Sequence, residues 1–420
     1  MSSPPVAPVD LEALRSALPA DVKREPADYA IDGAVPALAV RPRSRDELSG
    51  TLRAANEADL AVVPQGARTA IGLGCPLERY DVAIDLTALS LVVEYAPEDL
   101  TITVEAGMTL RTLQATLAEH GQYLPVDPAP SDEVTIGGLL ATARAGAWRG
   151  HLPAARDLIL GATIALADGT LTSSGGRVVK NVSGYDLHRL HTGALGSLGV
   201  IVAASFKLQP QPSERASLAI DCGSIEVAGQ LAIAIWDQSL AARAITVLDP
   251  EAAAAIGLHR SAAVLVEFAG VEGAVTRSLS TAVALAREHG AIAESADGAS
   301  WTRLRALGGG GPDDLVIRAG VPATQVAALV AEAAGHEGPA WGHIAAGAVW
   351  ARPMRGATSV LKLRGSAEAA GGFLQVESGP RSLRESVDPF DANEVELVRA
   401  LKAQFDPKRT LNPGRWMAGV

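Results

Sequence analysis

Cysteine is almost missing from this chain: among 420 residues there are two, Cys75 and Cys222, far apart in the sequence. Two such residues cannot build a disulfide framework or the thiolate set of an iron–sulfur centre, and they read as two buried thiols. An excess of positive charge is missing as well. The 36 Lys and Arg are outnumbered by 47 Asp and Glu, the formal net charge is −11, and no dense basic block occurs. A nucleic-acid-binding face must neutralise phosphates, so that class of function is disfavoured; the acidic balance serves solubility. Long apolar runs are lacking too: none reaches the roughly 20 residues that a bilayer span takes. The opening MSSPPVAPVD has neither the positive n-region nor the apolar h-region of a signal peptide. The expected location is cytoplasmic, with any membrane association made through partners.

What is present is apolar residue in quantity, 48% of the chain, enough for a large core, and a length that suggests two to three domains. Residues 1–30 hold one short helical pattern, Leu11, Leu14 and Leu18, between prolines: an N-terminal arm. Strands and helices then alternate. ALAVRP, LAVVPQG, DVAIDL and TITVEAG read as strands. SRDELSGTLRAANEAD reads as a helix with Ser44 as N-cap and Glu47 completing a capping box. TLRTLQATLAEHG is an amphipathic helix capped by Thr109 and ended by Gly121. LILGATIALADGTL reads as a hairpin turning at Asp168-Gly169, and GSLGVIVAASFKLQP as a second hairpin-like pair of strands. The polar, proline-rich Gln209–Ser213 is a plausible boundary. Beyond it, AAVLVEFAG with VTRSLSTAVALAREHG, and LVIRAGV with ATQVAALVAEAAG, form two strand–helix units. They suggest a small α+β domain with helices on one sheet face, the units joined by a flexible link at 305–314. The chain closes with the helix EVELVRALKAQFD and the tail PKRTLNPGRWMAGV.

Two loops invite chemistry. The first, Pro64 to Gly74, follows a strand directly; its small residues let a backbone approach a ligand, and successive N–H groups can form an anion nest. It lacks the Gly-Lys-Ser/Thr of a Walker loop and the spacing of a dinucleotide fingerprint. Taken alone, it reads first as a glycine turn between strands. The second, Asp127 to Gly138, runs into a helix near Leu139, so that Thr135 to Gly138 could aim several N–H groups at a phosphate. Together the loops suit a diphosphate gripped from two sides. A third segment, Gly176 to Leu187, gathers Lys180, Asn181, Tyr185 and Asp186 around Gly184.

Several stretches carry a family resemblance: VEAGMTLRTLQATLAEHGQYLPVDPAPSDEVTIGGLLAT, RDLILGATIALADGTL, GGRVVKNVSGYDL, HTGALGSLGVI and the terminal FDPKRTLNPGR. In order and spacing they resemble consecutive landmarks of the vanillyl-alcohol-oxidase (PCMH-type) FAD-binding oxidoreductases, and most of all the FAD-binding subunit of glycolate oxidase. The resemblance implies an α+β fold: a PCMH-type FAD-binding domain of two subdomains with a ferredoxin-like α+β cap. It divides the chain into an arm (1–30), the FAD-binding domain (31–212), the cap (213–395) and a C-terminal segment (396–420) returning to the FAD domain. The cofactor implied is FAD. Carried over residue by residue, its contacts would be Gly66, Ala67, Arg68, Thr69 and Ala70 in the first loop and Thr135, Ile136, Gly137 and Gly138 in the second. Thr142 and Ala145 would lie beside the flavin, Val200 and Ile201 would offer backbone contacts, and Asn412 would reach the cofactor from the tail. Ala67 and Arg68 replace two glycines usual in the first loop; Arg68 either meets phosphate or points to solvent. No histidine stands where flavinylated relatives attach FAD, which implies non-covalent FAD.

Glycolate and D-lactate dehydrogenase-like relatives carry His-x-Gly-Asp-Gly-Asn-x-His in the cap. The matching stretch here is Gly342-His-Ile-Ala-Ala-Gly-Ala-Val-Trp350, in which only His343 and Gly347 survive. One histidine cannot hold a divalent metal, so no metal site is expected and His343 is structural. The catalytic residues stay unassigned. The leading reading is an electron-transferring FAD subunit of a 2-hydroxy-acid dehydrogenase complex, beside a second flavoprotein subunit and an iron–sulfur subunit, with a small 2-hydroxy acid as substrate. The alternatives are a stand-alone metal-free dehydrogenase for 2-hydroxy acids or alcohols, and a non-catalytic partner that merely holds FAD.

Overall fold

The computed structural model describes residues 8–176, 185–311, 313–390 and 395–420. The arm forms helix α1 (Pro8–Ala17), and Leu14 packs into the same core as Leu48 and Leu52. The first sheet is built from β1 (Lys23–Arg24), β2 (Leu38–Val40), β3 (Val62–Gln65) and β4 (Val82–Asp85), in the order β1-β2-β4-β3, with β2, β4 and β3 parallel. Between β2 and β3 runs α2 (Arg45–Glu57). Its Ser44 Oγ accepts the Glu47 N–H at 3.1 Å, while the Glu47 carboxylate accepts the N–H of Arg43 rather than that of Ser44. The box therefore closes one residue earlier than its sequence pattern implies.

The second sheet contains β5 (Val92–Ala96), β6 (Thr101–Glu105), β8 (Ile159–Ala165), β9 (Leu171–Gly175) and β10 (Val200–Lys207), antiparallel in the order β5-β6-β10-β8-β9. A short pair, β7 (Gln122–Tyr123) with β11 (Gln209–Pro210), lies beside it. The sequence hairpin at Asp168-Gly169 is present as β8–β9. The second expected hairpin is not: GVIVAASFK is one strand, β10, lying between β6 and β8. Val200 to Phe206 are all buried, and no turn-forming residue interrupts them. An all-apolar central strand has no alternation to mark its middle. Strand β5 had no clear sequence signal either. Helices α3 (Leu110–Ala118), α4 (Ile136–Thr142) and α5 (Ala155–Leu158) pack on this sheet through Leu113, Leu117, Leu140 and Leu158, and α3 is capped by Thr109 as expected.

Residues 214–378 form one eight-stranded antiparallel sheet. Its strands are β12 (Glu214–Asp221), β13 (Ala242–Leu248), β14 (Ala263–Gly270), β15 (Ile292–Ser295), β16 (Val316–Gly320), β17 (Ala340–His343), β18 (Ala348–Ala351) and β19 (Phe373–Ser378), in the order β15-β12-β14-β13-β17-β18-β16-β19. The helices α6 (Ile225–Asp237), α8 (Glu272–Glu288), α10 (Val326–Ala334) and α11 (Gly356–Ala369) cover one face, over a core that includes Ile245, Val264, Phe268 and Val376. The expectation of helices on one face alone needs correcting. The short α7 (Pro250–Ala255) and α9 (Gly298–Leu307) cover part of the other face together with Ala129 from the first half of the chain. The glycine run expected to be a flexible link starts inside α9. A Cβ on Gly308 would come within 2.7 Å of that of Ala129, Gly309 lies tight against Pro130, and Arg352 binds the Gly309 carbonyl at 2.8 Å. Here glycine serves close packing. After α12 (Arg381–Ser386) and α13 (Val395–Phe405), the tail returns to the first sheet, where Val62 N–H meets Thr410 O and Asn412 N–H meets Val62 O.

The two halves are held together by a buried ion triad. Glu377, on β19, receives Arg144 at 2.8 Å from the segment after α4 and Arg318 at 2.8 Å from β16. Burial alone would push the Glu377 carboxyl up, but the two guanidinium groups outweigh it and hold the carboxyl below its ordinary value. Replacing Glu377 with Ala should therefore cost about 3–5 kcal/mol in denaturant unfolding, because the arginines lose their partner. With a depressed folded value, the stability Glu377 contributes is present above about pH 4.5 and lost as the pH falls. Acid unfolding of the wild type should show this loss and Glu377→Ala should lack it; equal acid sensitivity of the two proteins would contradict the assignment.

Candidate cofactor site

Where β3 ends, the backbone turns away from the sheet. The N–H groups of Gly66, Ala67, Arg68, Thr69 and Ala70 enter no hydrogen bond among the described residues. Free amides in a row, following a strand, form a nest for an anion. Arg68 holds a left-handed backbone (φ 61°), the conformation that favours glycine. The residue is half-buried and lines the cavity. It turns back to bind the carbonyls of Asp28 and Ala30 and the Gln65 Oε1, at 3.0, 2.6 and 2.9 Å. Gln65 in turn donates to the Tyr80 hydroxyl at 2.6 Å, and that hydroxyl donates to the Tyr29 carbonyl at 2.7 Å. This network offsets the strain of a non-glycine residue in that conformation and anchors the loop from behind.

The second loop behaves differently from its sequence reading. The N–H groups of Ile136, Gly137 and Gly138, expected to aim at phosphate, are already used: they reach Met108 O, Ala106 O and Thr135 Oγ1 at 2.8, 2.7 and 3.2 Å. Thr135 caps α4, and the helix presents its flank to the cavity rather than its end. The two loops meet directly: a Cβ on Gly66 would collide with Thr135 Oγ1.

Two adjoining cavities lie between them, of about 620 and 430 Å³ counting space open to solvent. Gly66, Ala67, Arg68, Thr69, Ala70, Thr135, Gly138, Thr142 and Asn412 line the first. Gly137, Val200 and Ile201 line the second, beside Gly66, Thr135 and Gly138. Ile136 and Ala145 line neither: Ile136 is buried in the core under α4, and Ala145 stands beyond the helix C-terminus. Pro64, Ala141, Leu195 and Arg415 also line the first cavity. The first three are apolar and carry no sequence signal. Arg415 had one, as the single cation inside the tail motif NPGR. Asn412 donates to the Leu195 carbonyl at 2.7 Å and so holds the tail in place. The segment 177–184, with Lys180, Asn181 and Gly184, lies outside the described residues.

The sheet face turned toward this half of the chain carries what remains of the cap motif. His343 is fully buried and its Nδ1 meets Thr246 Oγ1 at 2.9 Å. Burial drives its pKa down to about 3, so it is neutral and structural. Trp350 stacks on Trp341, ring centroids 6.2 Å apart and planes within 7°. Beside the pair lies a cleft of about 280 Å³ counting space open to solvent, lined by Ala129, Gly146, Arg305 and His343. Nearby, Trp148 Nε1 donates to Glu267 at 2.7 Å, and the guanidinium of Arg243 lies 3.3 Å from the Trp148 ring centroid. Asp127, buried next to them, has its carboxyl pushed up to about 7 by burial, against the pull of the Trp148 N–H. Cys75 and Cys222 are both free and half-buried rather than buried, and burial pushes each thiol up to about 11.

An anion nest on a parallel sheet, a helix flank closing it and a tail strapped across its mouth fit a dinucleotide cofactor, and comparison with known proteins agrees. Residues 36–175 match the FAD binding domain family and residues 383–416 match the C-terminal domain of FAD linked oxidases. The chain carries an FAD-binding domain and the C-terminal domain of FAD linked oxidases, and it is an FAD-dependent oxidoreductase. The fold is that of p-cresol methylhydroxylase, with a TM-score of 0.76 at 15% identity over 98% of this chain and 97% of that one. Within the class it is similar to the glycolate oxidase subunit GlcD of Bacillus subtilis, 28% identical over 91% of this chain and 89% of the relative. It is also similar to the glycolate oxidase subunit GlcE of Escherichia coli, 39% identical over 38% of this chain and 45% of the relative. Among the described residues no helix is long and apolar enough to cross a membrane.

The clash between residue 66 and Thr135 gives a direct test of the cavity. Gly66→Ala should lower the flavin-to-protein ratio of the purified chain severely while circular dichroism stays native. Adding Thr135→Ala removes the obstructing oxygen and should restore part of the flavin, at a cost of about 1 kcal/mol of stability for the lost helix cap. Full flavin content in Gly66→Ala would place the cofactor elsewhere.

Proposed function

We propose that this chain is the FAD-binding subunit of a glycolate oxidase-like 2-hydroxy-acid dehydrogenase complex, in which non-covalent FAD passes electrons between partners. The observation that carries the reading is the aromatic pair at the cap cleft. The buried Trp341–Trp350 pair takes up the space beside His343. Trp350 stands where relatives with the metal motif have a ligand, and it stacks on Trp341. Two cations of the cap that could meet a substrate carboxylate, Arg352 and Lys362, have other neighbours. Arg352 binds Gly309 O and pairs with Asp314 at 3.3 Å, and Lys362 lies exposed 3.9 Å from Glu332.

The bound flavin supplies the redox chemistry. The chain's own residues bind and orient it. The Gly66–Ala70 amides would hold the diphosphate, Gly138 and Thr142 would support the cofactor along the flank of α4, and Val200 and Ile201 would support it from the start of β10. Among the described residues, none lining either cavity is His, Cys or Tyr, which favours a flavin held without a covalent bond. Similarity to two proteins that are each named as a subunit of glycolate oxidase supports membership of a complex. With two cysteines the chain cannot carry a cysteine-ligated cluster, so an iron–sulfur subunit and a second flavoprotein subunit are the partners the reading calls for. The runner-up, a stand-alone dehydrogenase, draws on the D-2-hydroxyglutarate dehydrogenase of Xanthomonas citri, 28% identical over 96% of both chains.

Acid or heat denaturation of the yellow protein should release all of its flavin as free FAD; flavin that stays with the precipitated chain would mean a covalent link. Stopped-flow mixing of the isolated chain with glycolate or D-lactate, with and without divalent metal, should give slow or no flavin reduction. Rapid, saturable reduction by the lone chain would replace the subunit reading with the stand-alone dehydrogenase.

A further inference from the structure

Behind the first cavity lies a cluster of charged side chains. Arg415 is buried, lines the cavity beside the Gly66–Ala70 loop, and donates one Nη2 hydrogen bond to the Ile71 carbonyl. Its Nη1 is buried with no hydrogen-bond partner among the described residues. Next to it stands Arg384, whose side chain is wholly buried; it pairs with Asp32 and binds the Gly74 and Gly379 carbonyls at 3.0 and 2.9 Å. Among the groups that act on Arg415, Asp32 favours its charge and Arg384 repels it. Asp32 is already paired with Arg384, and among the described residues no carboxylate forms an ion pair with Arg415. Burial pushes the Cys75 thiol and Tyr80 hydroxyl up to about 11 and 12, so both are neutral. The Arg415 guanidinium is thus left with an unmet N–H and no ion-pair partner of its own.

Burial pushes the Arg415 pKa down to about 10, and the neighbouring Arg384 adds to the effect. Arg415 still remains charged at neutral pH. An unpaired cation with a free N–H, in the wall of a cavity whose opposite loop presents five free amides, awaits an anion.

We infer that Arg415 is a cofactor-binding residue: it supplies the full positive charge that meets the diphosphate of FAD, and the diphosphate completes the Arg415–Arg384–Asp32 cluster. This rests on the reading that the cavity between the Gly66 loop and α4 holds FAD. The amides of the loop offer only partial charges. Arg415 adds a whole one, and because it belongs to the tail, the anion binds loop and tail to each other. Arg384 and Asp32 extend the same cluster to α12 and to the segment after the arm.

The variants Arg415→Met and Arg415→Lys, measured against the wild type, test this. Three quantities are read: the FAD dissociation constant of the flavin-free protein, the flavin content as isolated, and the melting temperature with and without FAD. Arg415→Met should weaken FAD binding roughly 100-fold, the worth of a charge-assisted hydrogen bond, and Arg415→Lys less. The flavin-free Arg415→Met protein should melt no lower than flavin-free wild type, since it has lost a buried charge without an ion-pair partner. The rise in melting temperature on adding FAD should shrink in proportion to the lost affinity. If flavin-free Arg415→Met melts as far below wild type as its FAD-bound form does, Arg415 is structural and the inference falls. Unchanged FAD affinity also overturns it. In that case Gly66→Ala tells which reading failed: flavin loss there keeps the cavity and removes only Arg415, whereas retained flavin in both variants removes the cavity itself.

Discussion

Thr135 Oγ1 occupies the place that a side chain at residue 66 would need, and the candidate site depends on that contact. The hydroxyl caps α4 by accepting the Gly138 N–H, so it cannot move without loosening the helix. Because residue 66 has no side chain, the loop after β3 can lie directly against the helix that follows the second loop. Two sheets that share no strand are thereby brought to one cavity. The side chains of Arg68, Gln65 and Tyr80 pin the loop from behind, its backbone adds the bonds from Ile71 N–H to Arg68 O and from Leu73 N–H to Ala70 O, and the amides of Gly66–Ala70 stay free among the described residues. Rigidity comes mostly from side chains, and those N–H groups are left for a ligand.

Much of this was legible in the sequence where a physical rule acts locally. Ser44 and Thr109 cap their helices as expected, and Asp168-Gly169 turns the β8–β9 hairpin. Legibility failed where partners are distant. Whether Ile136 and Gly137 offer their N–H groups to a ligand is decided by the carbonyls of Met108 and Ala106, which precede α3. A helix start seen in sequence shows which groups lack an intrahelical partner, but not whether another segment supplies one. For Arg68 the distant partners are the carbonyls of Asp28 and Ala30, which no local pattern announces. Strand β10 was misread because burial on both faces erases alternation. Arg415 was missed because a cation in a tail motif looks like a solvated charge until its burial is known.

The cap hairpin is held by its aromatic pair. Strands β17 and β18 pair in register around His343 and Ala348. The stacked Trp341 and Trp350 join Leu248, Leu265 and Ala129 in a continuous core between the cap sheet and the first half of the chain. The Arg144–Glu377–Arg318 triad fixes the neighbouring strands to the segment after α4, so the halves meet through both apolar and ionic contact.

The tail is the last feature with a wider consequence. Residues 410–412 bond to Val62 on both sides, Asn412 reaches Leu195, and the carbonyl of Arg415 accepts the N–H of Cys75. One wall of the cavity is therefore made from residues that leave the ribosome several hundred positions after the loop they close upon. The nest at Gly66–Ala70 can form early, but it stays open on one side throughout synthesis of the cap. On the reading that this cavity holds FAD, cofactor capture is a late event in the life of each molecule, and a chain that stops short of residue 410 has every strand of the cap sheet and lacks one wall of the cavity.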